Sequence, residues 1–584
     1  MKLSPYVMLF GISLLVVFKS AAALESQVLN QHTVELGMPW TYVLNDAQQG
    51  WLAYYGLENA LYVRRPDGSE LELGAKDRPR AQSGLAVVPT GQDLAVFWRD
   101  KLPEKALFLQ SVSGSGASDP SLVVGGAESE PLTRLRIAKS DDVTYLLWYG
   151  EKGNPAKQER YHLYFRSVDR DGKTLSPVEQ VLPGYYPNWI VDQKAVTVFS
   201  WGRLEGQLSM LMRVYDPAQK TFGSPIKIAD APPLTSLFEA FESAGRWFLL
   251  WVGYRGDADA PEQLLEGLYS DDRGKTWKSF SFEKLRGLDF SRMEATSDGK
   301  GHILIAISGS WRKKEPKAKD DVYLFRSMDN GLTWSEPMQP RPEELRVYQA
   351  RDPSVAFGNP AGNLMLIWED WRNLRPNVYV QFSSDYGATW SEAVSLDPSP
   401  ATRLGLDFTN KTAWAVGDRY QVIAKRYQDD GMKKVDLVRY AFSRTELQEQ
   451  AADLAKRSMP ERQSESRLRE QIERYWNAMI ANDFATTYAL SDPFFRAKQP
   501  YNIYESSRGA IRYHSHEIVS IERQGNLAKV KIKFDASVPE FEVRGHKISQ
   551  PRKTFENTET WLFLGDDWYR EYYDQTNEIR FTRY

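Results

Sequence analysis

The 584-residue sequence contains no cysteine. This absence excludes disulfide bonds, thiolate chemistry and lipid-modified cysteines. A long basic run is also missing, and 74 basic residues against 77 acidic ones leave a net charge of −3. Because nucleic-acid binding depends on concentrated positive charge, we predict no nucleic-acid partner.

Long apolar runs are scarce beyond the N-terminus. There, Lys2 precedes the 13-residue run Tyr6–Phe18, and the small residues Ala21–Ala23 follow it. This pattern predicts a signal peptide over residues 1–24 and an exported protein, periplasmic or secreted, without a membrane span after cleavage. An uncleaved anchor is the alternative, although a helix needs about 20 residues to cross a bilayer.

An octapeptide occurs three times, as SDDRGKTW (Ser270–Trp277), SMDNGLTW (Ser327–Trp334) and SSDYGATW (Ser383–Trp390). The copies start 57 and 56 residues apart, which indicates a repeated supersecondary unit. Ser and Asp side chains can hold a tight turn, Gly supplies a positive φ, and Trp can pack between neighbouring units. We therefore assign structural roles to Ser270, Asp272, Gly274, Trp277, Ser327, Asp329, Gly331, Trp334, Ser383, Asp385, Gly387 and Trp390.

Pairs of short apolar runs, rich in β-branched and aromatic residues, recur about every 50 residues and predict antiparallel hairpins. Eight such pairs begin at Trp51, Leu94, Thr144, Ala195, Trp247, His302, Leu364 and Tyr420. The octapeptides follow directly after the second run of a pair. The sequence therefore predicts a repetitive all-β body.

The octapeptides resemble the Asp box, or BNR repeat, of sialidase-type β-propellers, and Asp352–Leu396 is similar to a whole blade of that superfamily. The resemblance implies an all-β propeller over residues 25–444, with four-stranded blades around a central channel. Eight blades are favoured, and seven or six stay open because sialidases have six. The segment HTVELG (residues 32–37) is expected to complete the last blade and so to close the ring.

Sialidase chemistry requires three arginines around the substrate carboxylate, a tyrosine nucleophile assisted by a glutamate, and an aspartate acid/base. The sequence lacks the Arg-Ile-Pro signature of that family. Glu294 resembles the base-like glutamate, but Arg312, the arginine in line with it, comes after the expected end of the strand. Catalytic residues stay unassigned, and the resemblance leaves both binding and catalysis open.

Polar residues lie near the starts of the expected inner strands, where a propeller channel opens. Two interpretations are open: they form salt bridges between blades, or they bind a glycan or another small anionic ligand. YQARDP brings Tyr348, Arg351 and Asp352 together within five residues. The candidates are Arg78, Arg134, Glu239, Arg292, Glu294, Tyr348, Arg351 and Asp352, together with Asp407.

After Arg444 the composition changes. Residues 445–466 are charged and contain Pro460, which predicts a helical linker, and Leu468, Ile472, Trp476 and Met479 then recur at helical spacing. Helices followed by alternating strands such as KVKIKF resemble the NTF2-like cone fold, so we expect an α+β accessory or self-association domain over residues 467–584. His514 and His516 are expected to share one strand face as surface histidines.

Two functions follow from the sequence. We favour an exported, sialidase-like propeller that binds or scaffolds glycans or protein partners in the cell envelope. The alternative is an exo-sialidase or a related glycoside hydrolase. Neither a cofactor nor a metal ion is predicted.

Overall fold

The computed structural model describes residues 25–35, 37–74, 85–99, 106–125, 133–140, 142–150, 162–169, 172–183, 185–192, 195–230, 235–257, 259–313, 315, 318–397, 406–407, 412–428, 434–457, 463–543, 546–564 and 567–571. The expected signal peptide, residues 1–24, lies outside the described residues, as does Arg78. Strands and helices are numbered in chain order, and the consecutive sheets are called sheets 1 to 8.

Two short strands, β1 (Glu25–Val28) and β2 (Val34–Glu35), precede the first sheet. Sheets 1 to 3 are antiparallel, and each contains four strands in chain order. Sheet 1 contains β3 (Trp40–Leu44), β4 (Gly50–Tyr55), β5 (Leu61–Arg64) and β6 (Glu70–Leu73). Sheet 2 contains β7 (Ala86–Thr90), β8 (Asp93–Arg99), β9 (Leu107–Val112) and β10 (Ser121–Val124). Sheet 3 contains β11 (Thr133–Ser140), β12 (Val143–Gly150), β13 (His162–Asp169) and β14 (Glu179–Pro183).

Sheets 4 to 7 repeat this pattern with small variations. Sheet 4 contains β15 (Tyr185–Val191), β16 (Val196–Leu204), β17 (Gln207–Asp216), β18 (Thr221–Phe222) and β19 (Ile226–Asp230). Sheet 5 contains β20 (Thr235–Ser243), β21 (Arg246–Arg255), β22 (Glu262–Ser270) and β23 (Lys278–Ser281). Sheet 6 contains β24 (Asp289–Ser297), β25 (Ile303–Ser310) and β26 (Asp321–Ser327). Sheet 7 contains β27 (Ala350–Phe357), β28 (Leu364–Asp370), β29 (Asn377–Ser383) and β30 (Val394–Ser395).

Sheet 8 joins the two ends of this region. Its later strands are β31 (Leu406–Asp407), β32 (Ala413–Val416), β33 (Arg419–Tyr427) and β34 (Lys434–Phe442), and β1 and β2 pair with β34. Of the described residues in the expected segment HTVELG, Val34 and Glu35 pair with β34, while Glu25–Val28 forms the longer part of the outer strand. Sequence reasoning missed β1 because its four residues are exposed and show no apolar alternation.

The first strands of consecutive sheets contact one another from β3 through β7, β11, β15, β20, β24 and β27 to β32. Tyr42 on β3 stacks on Trp414 on β32, with ring centres 5.2 Å apart, so the series returns to its start. The core lies between adjacent sheets; one apolar cluster, for example, joins Trp51 of sheet 1 to Ile423 of sheet 8. This mostly β architecture of consecutive antiparallel sheets is consistent with a propeller.

The C-terminal part consists of helices followed by one antiparallel sheet. The helices are α1 (Arg444–Arg457), α2 (Glu465–Ala481), α3 (Phe484–Ala489), α4 (Pro493–Lys498) and α5 (Tyr501–Ser506). The sheet contains β35 (Arg512–Gln524), β36 (Leu527–Val543), β37 (His546–Phe563) and β38 (Trp568–Arg570), in that order. None of the helices in the described residues is both long and apolar enough to cross a membrane.

Helix α2 buries the face that its periodicity predicts, since Leu468, Ile472, Trp476 and Met479 are each at most 6% exposed. The expectation for the two histidines is wrong. A bulge between Tyr513 and Ser515 interrupts the alternation of β35. His516 therefore stacks on Trp476, whereas His514 is exposed and hydrogen-bonds with Ser537.

The C-terminal part packs against sheet 7 through the loop between β28 and β29. Leu374 on this loop lies in an apolar cluster with Leu562 and Tyr569. The next residue, Arg375, forms a buried ion pair with Asp492 at the start of α4. Because the loop follows Asp370, which pairs with Ala350, it lies at the end of sheet 7 where β27 begins.

Candidate functional site

The first strands of sheets 3 to 7 each have a register shift near their beginning. In each case the first strand has one residue more than its partner over the shifted stretch. A bulge of this kind re-aims side chains and is common beside functional sites. The bulges therefore lie at the starts of the first strands, which is where the sequence predicts the candidate ligand-binding residues.

Arg292 of sheet 6 and Asp352 of sheet 7 meet across this edge. Arg292 Nε donates to Asp352 Oδ1 at 2.8 Å. The Asp352 side chain is buried, whereas 58% of the Arg292 side chain is exposed. Asp352 also has a left-handed backbone with a φ of +52°, which non-glycine residues adopt at a cost and which often marks functional positions.

Arg351 approaches the same carboxylate from within sheet 7. Its Nε lies 3.5 Å from Asp352 Oδ2 and donates to Glu369 Oε1 at 2.7 Å. Glu369 is fully buried and also accepts a hydrogen bond from Trp371 Nε1 at 3.0 Å. Two guanidinium groups, Arg292 and Arg351, thus converge on Asp352, and buried Glu369 fixes one of them.

A second contact between sheets lies two residues further along the same strands. Ser354 Oγ donates to Glu294 Oε1 at 2.7 Å, which ties half-buried Glu294 to sheet 7. We call the group Arg292, Glu294, Arg351, Asp352 and Glu369 the entrance. The entrance is polar and contains charges of both signs.

Other first strands are also bridged by polar contacts. Arg136 Nη1 donates to Asn188 Oδ1 at 2.9 Å, and Asn188 Nδ2 donates to the carbonyl oxygen of Phe238 at 3.1 Å. Glu239 follows Phe238 on β20 and is half-buried, with contacts of its own. Arg134 lies on β11, two residues before Arg136, but its side chain lies outside the description.

None of the described contacts links the remaining two candidates, Tyr348 and Asp407, to the entrance. Tyr348 packs toward the C-terminal part, in the cluster that contains Leu374 and Leu527, and burial raises its pKa. The backbone of Asp407 pairs with Lys425 in sheet 8, and its side chain is not described. YQARDP therefore divides between two environments, because Tyr348 precedes the strand and Arg351 and Asp352 lie on it.

Sequence reasoning missed a buried ionic cluster beside the entrance. Arg341 and Asp370 are fully buried, with 3.1 Å between Arg341 Nε and Asp370 Oδ2, and Arg341 also hydrogen-bonds with Asp321. Arg372 Nη2 donates to Asp370 at 2.8 Å. Burial alone would raise the pKa of Asp370, but Arg341 and Arg372 outweigh it and hold that pKa below its ordinary value.

One sequence signal could have found part of this group. Glu369 and Asp370 directly follow the apolar run Leu364–Trp368 in the same buried strand, and buried carboxylates require charged or hydrogen-bonding partners. Arg341 gives no such signal, since it lies in a loop rich in proline and charge.

The Asp boxes lie at the opposite end of their sheets. In sheet 7, Ser383 pairs with Leu364, and Leu364 pairs in turn with Phe357, the last residue of β27. This box therefore lies where β27 ends, whereas the entrance lies where β27 begins. The Ser and Asp side chains make the same hydrogen bonds in all three boxes; in the second, Ser327 Oγ donates to Asp329 Oδ1 at 2.8 Å and accepts from the Gly331 N–H at 2.7 Å.

Glycine is required in that turn. Gly331 has a φ of +79°, and a Cβ atom there would lie 2.5 Å from the Phe248 ring of the preceding sheet. Trp334 packs on Phe280 and Phe282 of the same preceding sheet. These contacts lie between neighbouring sheets, away from the entrance.

Within the described part of the chain, no group of three or more histidine or acidic residues is arranged to hold a metal ion. The entrance instead offers guanidinium donors and carboxylate acceptors. Such a set can form charge-assisted hydrogen bonds with carboxylate and hydroxyl groups. Its chemistry suits recognition of a polar or anionic ligand.

No protein-family model and no curated protein sequence matches this chain. Among solved structures, the chain is similar to the polysaccharide lyase Uly1, with 11% identity, a TM-score of 0.39 and coverage of 64% of this chain and 94% of that one. It is also similar to a Trypanosoma rangeli sialidase mutant that displays trans-sialidase activity, with 12% identity, a TM-score of 0.33 and coverage of 89% and 74%.

A third similar structure is the β-propeller domain of the Trilobed protease from Pyrococcus furiosus. Its identity is 10%, its TM-score is 0.35, and the match covers 62% of this chain and 96% of that one. Similarity at this level does not carry an activity or a ligand from these proteins to this chain.

Proposed function

We propose that the chain is an exported glycan-binding propeller in which the eight consecutive sheets are eight blades. In this proposal the entrance is the mouth of the central channel and binds an anionic or polyhydroxyl group of a glycan. The convergence of Arg292 and Arg351 on Asp352 is the observation that carries it.

Arg292 is the residue that would contact the ligand. More than half of its side chain is exposed, and its described contacts are Nε with Asp352 and one Nη with the Ser291 carbonyl oxygen. The rest of the guanidinium faces solvent and can bind a carboxylate or sugar hydroxyl. Arg351 would hold Asp352 and Glu369 in position rather than contact the ligand.

The C-terminal part is proposed to be an NTF2-like accessory domain that borders the entrance. Its helices precede an antiparallel sheet that contains several bulges, and it packs at the end of sheet 7 where β27 begins. Export to the periplasm or out of the cell is proposed from the N-terminal sequence alone.

Titration with sialyllactose and lactose tests the proposed binding. Arg292→Gln is expected to weaken sialyllactose binding about tenfold or more, because it removes a charge-assisted hydrogen-bond donor. Arg273→Gln is the matched control, since Arg273 lies in the first Asp box, at the opposite end of the sheets, and its side chain is 54% exposed. Equal binding by the two variants and the unchanged protein would contradict the proposal.

The second candidate is an exo-sialidase or a related glycoside hydrolase. For this candidate, Arg292 and Arg351 would have to supply two of the three arginines that such an enzyme requires around the substrate carboxylate. Release of free sialic acid from sialyllactose, abolished by Arg292→Gln, would favour this candidate over simple binding. Stoichiometric binding without release would favour the first.

A further inference from the structure

The C-terminal part contacts the end of sheet 7 from two sides. Tyr348 lies just before β27, and Leu374 lies in the loop after β28. Leu374 belongs to an apolar cluster with Leu562, and Tyr348 packs against the same cluster. The turn between β35 and β36 approaches Tyr348 so closely that a Cβ atom at Gly525 would lie 3.3 Å from the tyrosine hydroxyl oxygen. The C-terminal part therefore holds both strands of sheet 7 that carry entrance residues.

Leu374 has a backbone conformation that its surroundings must impose. Its φ is +64°, in the left-handed region, and its side chain is fully buried. A leucine adopts this conformation at a cost, so the conformation persists only where packing fixes it. Arg375, the next residue, pairs with Asp492 and also donates from Nη1 to the Leu374 carbonyl oxygen at 2.9 Å. Contacts with the C-terminal part therefore determine the conformation of this loop.

The same loop continues the pairing between β27 and β28. The Leu374 N–H donates to the Trp371 carbonyl oxygen at 2.8 Å, and the Trp371 N–H donates to the Gln349 carbonyl oxygen at 2.9 Å. This second bond extends the ladder in which Arg351 pairs with Glu369. The Trp371 side chain also donates to Glu369 Oε1 at 3.0 Å. A rearranged loop would therefore loosen the start of β27.

Asp352 depends on the start of β27 because it lies at the bulge there. Its φ of +52° is also left-handed, and its buried carboxylate accepts from Arg292 Nε at 2.8 Å. The position of this carboxylate is set by the backbone, which a side-chain exchange such as Arg351→Lys leaves in place. Release of the loop after β28 would instead move the carboxylate itself.

We propose that the C-terminal part positions the entrance. By holding Tyr348 and Leu374, it fixes the strand ends from which Asp352 presents its carboxylate to Arg292. Leu374 and Arg375 are positioning residues in this proposal, since they act through the backbone and contact no ligand. The effect on glycan binding rests on the proposed function, whereas the positioning of Asp352 does not.

Hydrogen–deuterium exchange of the full chain tests the positioning without a ligand. Asp492→Asn removes the charge that pairs with Arg375, and asparagine still caps α4. We expect the amides of Ala350–Asp352 and Glu369–Trp371 to exchange about threefold faster or more, because local opening becomes easier. Asp483→Asn is the matched control, since exposed Asp483 caps α3 outside the contact and its exchange should leave these amides unchanged.

Faster exchange only in the loop after β28 and in the C-terminal part would overturn the proposal, because the ion pair would then fasten the two parts without acting on the entrance. Leu564→Ala provides a second variant, since it trims the apolar cluster and leaves the ion pair intact. It is expected to give the same faster exchange at the entrance, and it decides the question if Asp492→Asn does not fold. Unchanged exchange there in Leu564→Ala would equally contradict the proposal.

Titration with sialyllactose measures the consequence for binding. Asp492→Asn is expected to weaken binding about threefold to tenfold, more than Arg351→Lys, whereas Asp483→Asn should bind like the unchanged protein. Bound sialyllactose should in turn slow exchange at Leu374, since coupling between two sites is reciprocal. Faster exchange at the entrance with unchanged affinity would contradict the effect on binding. If the unchanged protein does not bind sialyllactose, the proposed function fails, and the exchange result alone decides the positioning.

Discussion

Arg375 and Asp492, which are 117 residues apart in the sequence, form an ion pair in which both side chains are at most 4% exposed. Arg375 belongs to the loop after β28, and Asp492 caps α4 by accepting from the Phe494 N–H at 2.9 Å. The Arg375 guanidinium also lies 3.8 Å from the centre of the Phe494 ring. This pair fastens the C-terminal part to sheet 7.

Arg375→Ala is expected to destabilise this attachment by about 3–5 kcal/mol, because it leaves Asp492 buried without its partner. Calorimetry should then show the C-terminal part unfolding at a lower temperature than the β-sheet body. Arg419→Ala is the control, since Arg419 forms more exposed pairs and its loss should cost at most about 1 kcal/mol. Equal unfolding curves for the two variants would show that the ion pair does not hold the parts together.

The Asp boxes predict a specific loss of stability in acid. Hydrogen bonds from Thr276 hold the pKa of Asp272 at about 2, and hydrogen bonds from Thr389 do the same for Asp385. A pKa lowered from 3.8 means that the ionised form stabilises the fold, fully above about pH 4 and less as the pH falls toward 2.

The double variant Asp272→Asn, Asp385→Asn should therefore melt at a lower temperature at pH 7 and lose less stability than the unchanged protein between pH 4 and pH 2. Melting temperatures followed by circular dichroism at several pH values measure this difference. Asp230→Asn is the control, because its side chain is 86% exposed and lies outside the boxes. Parallel pH profiles for the double variant and the unchanged protein would contradict the prediction.

Arg351→Lys should affect stability more than binding. Lysine cannot reproduce the contacts of Arg351 with both buried Glu369 and Asp352, so we expect a loss of about 1–3 kcal/mol of unfolding free energy. Sialyllactose binding by the folded protein should change less than threefold, in contrast to Arg292→Gln. Normal stability with lost binding would instead make Arg351 a ligand contact.

Limited trypsin digestion should cut the chain between α1 and α2. Leu447 on α1 is fully buried beside Phe442, and Glu446 bonds to the Ser443 N–H, so the start of the predicted linker is anchored to sheet 8. Cleavage is expected after Arg457 or Arg462, giving a C-terminal fragment of about 120 residues.

Both fragments should elute together on size exclusion, because the buried pair and the Leu374 cluster persist after the cut. In the Arg375→Ala protein the fragments should separate more readily. Primary cleavage within a sheet of the body would show that the boundary is misplaced.

Local patterns determined the repeating elements of this protein. The Asp-box turns depend on hydrogen bonds within a few residues, such as Ser327 with Asp329, so the octapeptide sequence specifies the turn conformation locally. Helix α2 was predictable because an amphipathic face repeats every 3.6 residues. The paired apolar runs likewise correspond to the central hairpins of the sheets.

The tertiary structure alone decided which distant residues meet. Arg292 reaches Asp352 across 60 residues, and Leu437 reaches Asn30 across 407, because adjacent sheets and a shared closing sheet bring them together. The bulges that aim side chains at the entrance depend on strand register, which no single strand specifies. A side chain's partner is determined by packing between elements that are far apart in the chain, and the periodicity of the sequence does not specify that packing.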